Sequence, residues 1–148
     1  MWSHKRSVLL SLILTDLFGI IALLAVFLLP LIVNTYIVGL HRPAELAPVL
    51  LTVCYACLPF ALVLLFCLHC LLLHLRKGEI FISGNTTLLR ALSLCCAAVS
   101  LITLASGYFY LPFYIIGIAA AFFALIIRVI KNIFSAAIEI KSENELTI

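Results

Sequence analysis

Arg76-Lys77-Gly78-Glu79-Ile80-Phe81-Ile82-Ser83-Gly84-Asn85-Thr86-Thr87-Leu88-Leu89-Arg90 is a polar hairpin closed at both ends by apolar runs. The run before it extends from about Val49 to Leu75 and the run after it from about Thr87 to Tyr108. A helix needs about 20 apolar residues to cross the hydrocarbon of a bilayer, so each run is a membrane span and the hairpin turns the chain back across the membrane. Composition extends this reading to the whole chain. Of 148 residues 66% are hydrophobic and 10% charged, with mean hydropathy +1.34, whereas a soluble domain carries roughly 25% charged residues. A water-exposed fold is excluded. The length holds about four spans and no separate soluble domain, which predicts an all-α four-helix transmembrane bundle as a single domain over residues 1–148.

Toward the N-terminus, His4, Lys5 and Arg6 precede an apolar run from Val8 to about Tyr36. A secretory signal has an apolar region of about 7 to 15 residues followed by a small-residue cleavage site. This run is longer and ends in Pro30, Asn34 and Tyr36, so it reads as an uncleaved first span over about 8–36. Asp16 interrupts it. A charge within a span is costly and marks function unless it sits at the boundary. Leu17 to Val38 alone would cross, which places Asp16 at the inner boundary, with Val8 to Thr15 on the membrane surface and Arg90 or Arg128 as its partner. The alternative is a buried ligand or proton site. Pro43 and Pro48 in the link from His41 stop one helix and restart the next over about 49–75. That helix ends in His74, Arg76, Lys77 and Gly78, cations and then a residue free to take positive φ.

The third span, about 87–108, has Ser83, Asn85 or Thr86 available to cap its first turn. It is rich in small residues, among them Ala91, Ser93, Cys95, Cys96, Ser100 and Gly107, which permit close helix approach in lipid. This predicts the most enclosed helix. Tyr108, Phe109, Tyr110, Phe113 and Tyr114 form an aromatic belt at the outer interface around Pro112. The last span covers about 111–130, where Gly117 and Ala121 offer a second packing face, on another helix or on a second copy of the chain. Four spans put Lys5, Arg6, Arg76, Lys77, Arg90, Arg128, Lys131 and Lys141 on one side and Arg42 alone on the other. The basic side is the cytoplasm, so both termini are expected there, in a bacterial cell membrane. The cations are too dispersed for direct nucleic-acid binding and read as topology and attraction to anionic lipid. Beyond the span, Arg128, Lys131, Asn132, Ser135, Glu139 and Ser142 share one narrow helical stripe, with Val129, Ile130, Ile133, Phe134, Ala137 and Ile140 around the rest. The fourth helix is expected to continue as an amphipathic cytoplasmic tail over 131–148, with an acidic end from Ser142 that is mobile or ordered by a partner.

Two C-x-x-C pairs, Cys54/Cys57 and Cys67/Cys70, lie on the second helix. They are about 20 Å apart at helical rise, so they cannot share one ion. Cys67, Cys70 and His74 share a face and are the candidate metal ligands, although buried Cys is commonly a small apolar packing residue. No cofactor is expected. Cys54 and Cys57 near the outer side resemble the thiol pair of quinone-linked disulfide-generating membrane oxidases. Such a relay needs a second reachable pair, and neither outer loop contains a cysteine.

Gly78-Glu-Ile-Phe81, Asn85 and Leu89-Arg90, with Asn132-Ile-Phe134, Ala137, Glu139-Ile-Lys141 and Glu143-Asn144-Glu-Leu146-Thr147-Ile148, resemble the bacterial membrane proteins grouped as domain of unknown function 2975. The resemblance implies architecture and a context: such proteins are often encoded beside a small helix-turn-helix regulator. The expectation is therefore a non-enzymatic regulatory membrane protein. It binds a cytoplasmic helix-turn-helix regulator through Gly78, Phe81, Asn85 and Arg90 of the hairpin and Asn132, Phe134, Glu139, Lys141 and Asn144 of the tail. The bland alternative is that hairpin and tail cap the bundle by packing on each other. A transporter or ligand sensor and the thiol oxidase are the other classes, although a transporter would concentrate polar groups near the midplane, where this chain has almost none.

Overall fold

The computed structural model describes residues 4–146, and side chains over 6–144. The expectations for Thr147 and Ile148 at the closing segment lie outside the described residues. Four helices follow one another: α1 (His4–Gly39), α2 (Leu46–Lys77), α3 (Ser83–Ser106) and α4 (Pro112–Leu146). Each is long and apolar enough to cross a membrane.

The helix ends follow the local chemistry. His41 takes positive φ (48°) in the link after α1, and α2 restarts with Pro48 in its first turn. Gly78 ends α2 in the left-handed region at φ 81°. Its N–H donates to Leu75 O, and the Glu79 N–H reaches back to His74 O, a pairing that satisfies carbonyls left open at a helix end. Two expectations are corrected. α1 runs unbroken through Asp16 and Pro30, so residues 8–15 continue the helix and do not form a separate surface segment. α3 starts at Ser83, and its cap position is Ile82 with no side-chain hydrogen bond; Asn85 is used elsewhere. α4 is helical through Leu146.

Small residues set the packing. α3 is the most enclosed helix, with 33% of its central window buried against 6% for α1 and α2. Ser93 Oγ donates to Ala124 O at 2.9 Å and Ser100 Oγ to Gly117 O at 2.8 Å, bonding α3 directly to the α4 backbone. A methyl group at Gly117 would stand 2.6 Å from Leu104 Cγ, so glycine is needed for this approach.

The four helices do not close into a ring. Each packs on its chain neighbour, and α1 packs at backbone level on α2 alone. At the aromatic end side chains draw α1 in: Leu29, Val33 and Ile37 share a core with Leu50, Val53 and Phe113, and the Tyr36 and Tyr110 hydroxyls are hydrogen-bonded. At the hairpin end the core is built from α2, α3 and α4 only, around Cys67, Leu89 and Leu92. α1 is splayed there, and its Phe18, Ile21 and Ala22 face an apolar cavity of about 570 Å³ walled by the other three helices. The expected bundle is thus a row of helices drawn together at one end.

Candidate functional site

The polar chemistry of the hairpin end begins with Asn85, which is fully buried. Its Nδ2 donates to Glu79 O at 2.9 Å and Ile80 O at 2.8 Å, and its Oδ1 lies 2.8 Å from His74 Nδ1. The two carbonyls can only accept, so they fix the amide with its NH2 toward them and its oxygen toward the imidazole. His74 Nδ1 therefore carries the proton and donates. One side chain on the first turn of α3 thus ties together the end of α2 and both carbonyls of the intervening loop. The aromatic residues complete the hairpin: Phe81 stacks at a tilt on Phe134 of α4, ring centroids 5.9 Å apart. Phe81 is still 45% exposed.

The sequence-predicted residues therefore separate. Gly78 and Asn85 shape the hairpin, and Phe81 joins it to Phe134 of α4. Asn132, Glu139, Lys141 and Asn144 stand on exposed positions of the α4 extension. Arg90 and Arg128 line a separate cavity between α3 and α4. His74 is engaged by Asn85, and among the described residues no three His, Cys, Asp or Glu side chains converge as a metal site, Cys67, Cys70 and His74 included. The six cysteines are free thiols. Cys54 and Cys57 are half-buried against the aromatic-end core.

Asp16 has a different partner from the arginines expected. Its Oδ1 accepts from His69 Nδ1 at 2.6 Å, with the two side chains 50% and 33% exposed. They stand at the rim of a cavity of about 390 Å³ lined by Thr15, Gly19, Leu62 and Phe66. His69 was missed because it points away from the face carrying Cys67, Cys70 and His74. A signal existed: Asp16 stands as far before Gly39, the end of α1, as His69 stands after Leu46, the start of α2. Residues equidistant from the turn of an antiparallel helix pair stand side by side. From Tyr36 at the aromatic end to Asp16 is about 30 Å at helical rise, which is the thickness of the hydrocarbon. The pair therefore stands about one hydrocarbon thickness from Tyr36.

Fold and site together define, over the described residues, an all-helical protein with four helices long and apolar enough to span a membrane. The chain belongs to the family described as protein of unknown function (DUF2975), matching it over residues 4–148. No curated protein and no solved structure matches the chain.

Proposed function

We propose that this chain is a non-enzymatic regulatory membrane protein whose fourth helix, braced by the hairpin, presents a docking face to a cytoplasmic protein. The observation that carries this reading is the length and surface of α4. It runs 35 residues from Pro112, about 50 Å at helical rise, or about 20 Å more than the hydrocarbon requires. On that excess Phe134 is held by Phe81, while Ile133 and Ile140, two turns apart, are 61% and 60% exposed. Asn132 and Glu139 flank them one position away. An exposed apolar pair with a polar rim is how protein-binding helices present anchors. The partner class is a helix-turn-helix regulator, which rests on the family resemblance alone. Asn85 is buried and serves docking only by shaping the hairpin.

The test is co-purification from gently solubilised native membranes with partners identified by mass spectrometry. Full chain is compared with Ile133→Glu/Ile140→Glu and with a chain ending at Ile130. A DNA-binding protein retained by the full chain and lost from the double variant at unchanged melting temperature is the expected result. The point variants matter because truncation also removes Phe134 and loosens the hairpin. Full chain recovered alone would refute the proposal.

A second reading, a sensor of a small ligand, is favoured by the Asp16–His69 pair at the rim of its cavity, where a carboxylate and an imidazole stand together beside an apolar lining. Ligand-dependent thermal stabilisation that is lost in Asp16→Asn would support it.

A further inference from the structure

Arg90 stands as far before Ser106, the end of α3, as Arg128 stands after Pro112, the start of α4. Equidistance from the aromatic turn brings them to the same level. With Lys131, one turn further on, they line a cavity of about 200 Å³ together with Ser93 and Leu94. None of the three cations forms an ion pair among the described residues. Three positive groups around one small cavity repel one another unless an anion joins them.

The cavity continues into a groove. Ser93, Leu94 and Arg128 also line a cleft of about 410 Å³ that runs toward the aromatic end between Ala97, Leu101, Ala121 and Leu125. Its polar floor is already engaged, because Ser93 and Ser100 donate to the α4 carbonyls of Ala124 and Gly117. The walls therefore offer mainly apolar surface. Helical rise places the Cα atoms of both arginines about 24 Å from the aromatic turn. Their long side chains then reach the edge of hydrocarbon about 30 Å thick, where lipid phosphates lie.

We propose that Arg90, Arg128 and Lys131 bind the phosphate of an anionic phospholipid whose acyl chain lies in the groove between α3 and α4. Charge and shape choose this occupant. A soluble phosphate would satisfy the cations and leave the groove empty, whereas a zwitterionic lipid brings its own cation into a cavity that already has three. Basic pockets between membrane helices at the cytoplasmic side hold anionic headgroups for the same reason, and guanidinium forks match phosphate oxygens in pairs.

The full chain, purified in a neutral detergent, tests this by native mass spectrometry and thermal unfolding with phosphatidylglycerol, phosphatidylcholine or inorganic phosphate added. Phosphatidylglycerol is expected to be retained preferentially and to raise the unfolding temperature above phosphatidylcholine at equal mole fraction. Its retention should fall about fivefold per cation removed in Arg128→Gln and in Arg128→Gln/Lys131→Gln. Arg76→Gln/Lys77→Gln, which alters cations outside the cavity, should leave it unchanged. Ala121→Phe, which fills the groove and spares the charges, should lower lipid retention as well. Charge-conserving Arg128→Lys should keep most of it, which separates lost binding from a failure to fold. Equal retention of the two lipids, an unchanged preference in the glutamine variants, or stabilisation reproduced by inorganic phosphate alone would each overturn the proposal.

Discussion

Replacing Asn85 should cost more than any other single change in the hairpin. Asn85→Ala removes two hydrogen bonds donated to Glu79 O and Ile80 O and one accepted from His74. A neutral hydrogen bond contributes roughly 1 kcal/mol net, and leaving a buried partner unsatisfied costs about 1–3 kcal/mol. The loss is moderated because Glu79 is exposed and Ile80 half-buried, so their carbonyls regain water more easily than the Nδ1–H of His74. The expected cost is about 2–3 kcal/mol, or roughly 5–10 °C in unfolding temperature for a chain of this size. Asn85→Asp sharpens the test. It keeps the acceptor for His74 and the side-chain volume, but sets a carboxylate oxygen against two carbonyls that need a donor, so it should be at least as damaging. Cys67 gives an internal reporter, being buried in the adjoining core with Leu89 and Leu92. Its reaction with a fluorogenic maleimide on heating follows unfolding, and amide exchange over 78–85 follows local opening. Thr87→Ala, at an exposed position two residues on, is the control. If Asn85→Ala matches the control in both readouts, the hub role is wrong.

Gly117→Ala should destabilise by about 1–3 kcal/mol through forced separation of α3 and α4, because its methyl group would meet Leu104 at 2.6 Å; Gly19→Ala, with nothing within 4 Å, should be neutral or mildly stabilising. Thermal unfolding in detergent compares the two, and equal effects would refute close packing at Gly117. Gly78→Ala places a side chain at φ 81° and should cost about 1 kcal/mol, read as faster amide exchange in the loop after α2. The Tyr36 hydroxyl and partial burial raise the pKa of Tyr110 above its ordinary 10.0. The fold therefore favours the neutral phenol, and this stability is complete below pH 10 and is lost as pH rises through the raised value. An alkaline titration of unfolding temperature should show that decline, and Tyr36→Phe should weaken it.

The parts of the fold legible in the sequence are those set by local chemistry. Four apolar runs give four helices, Gly78 after three cations gives the left-handed end of α2, and the small residues of α3 give its enclosure. What escaped depends on which face of each helix meets which neighbour. α1 is apolar nearly all round, so no stripe in it declares that it packs on α2 and stands away from α4 at one end. Asn85 had the composition of an N-cap, and only the tertiary position of the loop carbonyls shows it bonding backward to Glu79 and Ile80. For Asp16 the expectation weighed arginine, the stronger ion-pair partner, and passed over a histidine placed beside it by equal distance from the turn. The same counting pairs Arg90 with Arg128, two residues that the sequence alone did not bring together.

The distribution of polar contacts bears on which functions this architecture can support. Polar side-chain pairs include Tyr36 with Tyr110 at the aromatic end, and Asp16 with His69 and His74 with Asn85 toward the hairpin end. Between these levels the hydroxyls of Ser93, Ser100 and Thr103 are engaged by backbone carbonyls. The large cavity between α1 and α4 there is walled by residues such as Phe18, Leu64, Val99 and Phe123. A transporter needs polar ligands or broken helices near the midplane to replace the hydration of its solute, and the four helices here are continuous. The middle of this protein is suited to lipid and helix packing. Chemistry that can discriminate a partner, a headgroup or a ligand lies at the hairpin end, where the Asn85 hub, the Asp16–His69 pair and the Arg90, Arg128 and Lys131 cavity stand on three different helix contacts. Because α1 packs at backbone level on α2 alone, a change at the Asp16–His69 contact can shift α1 without disturbing the α3–α4 pair.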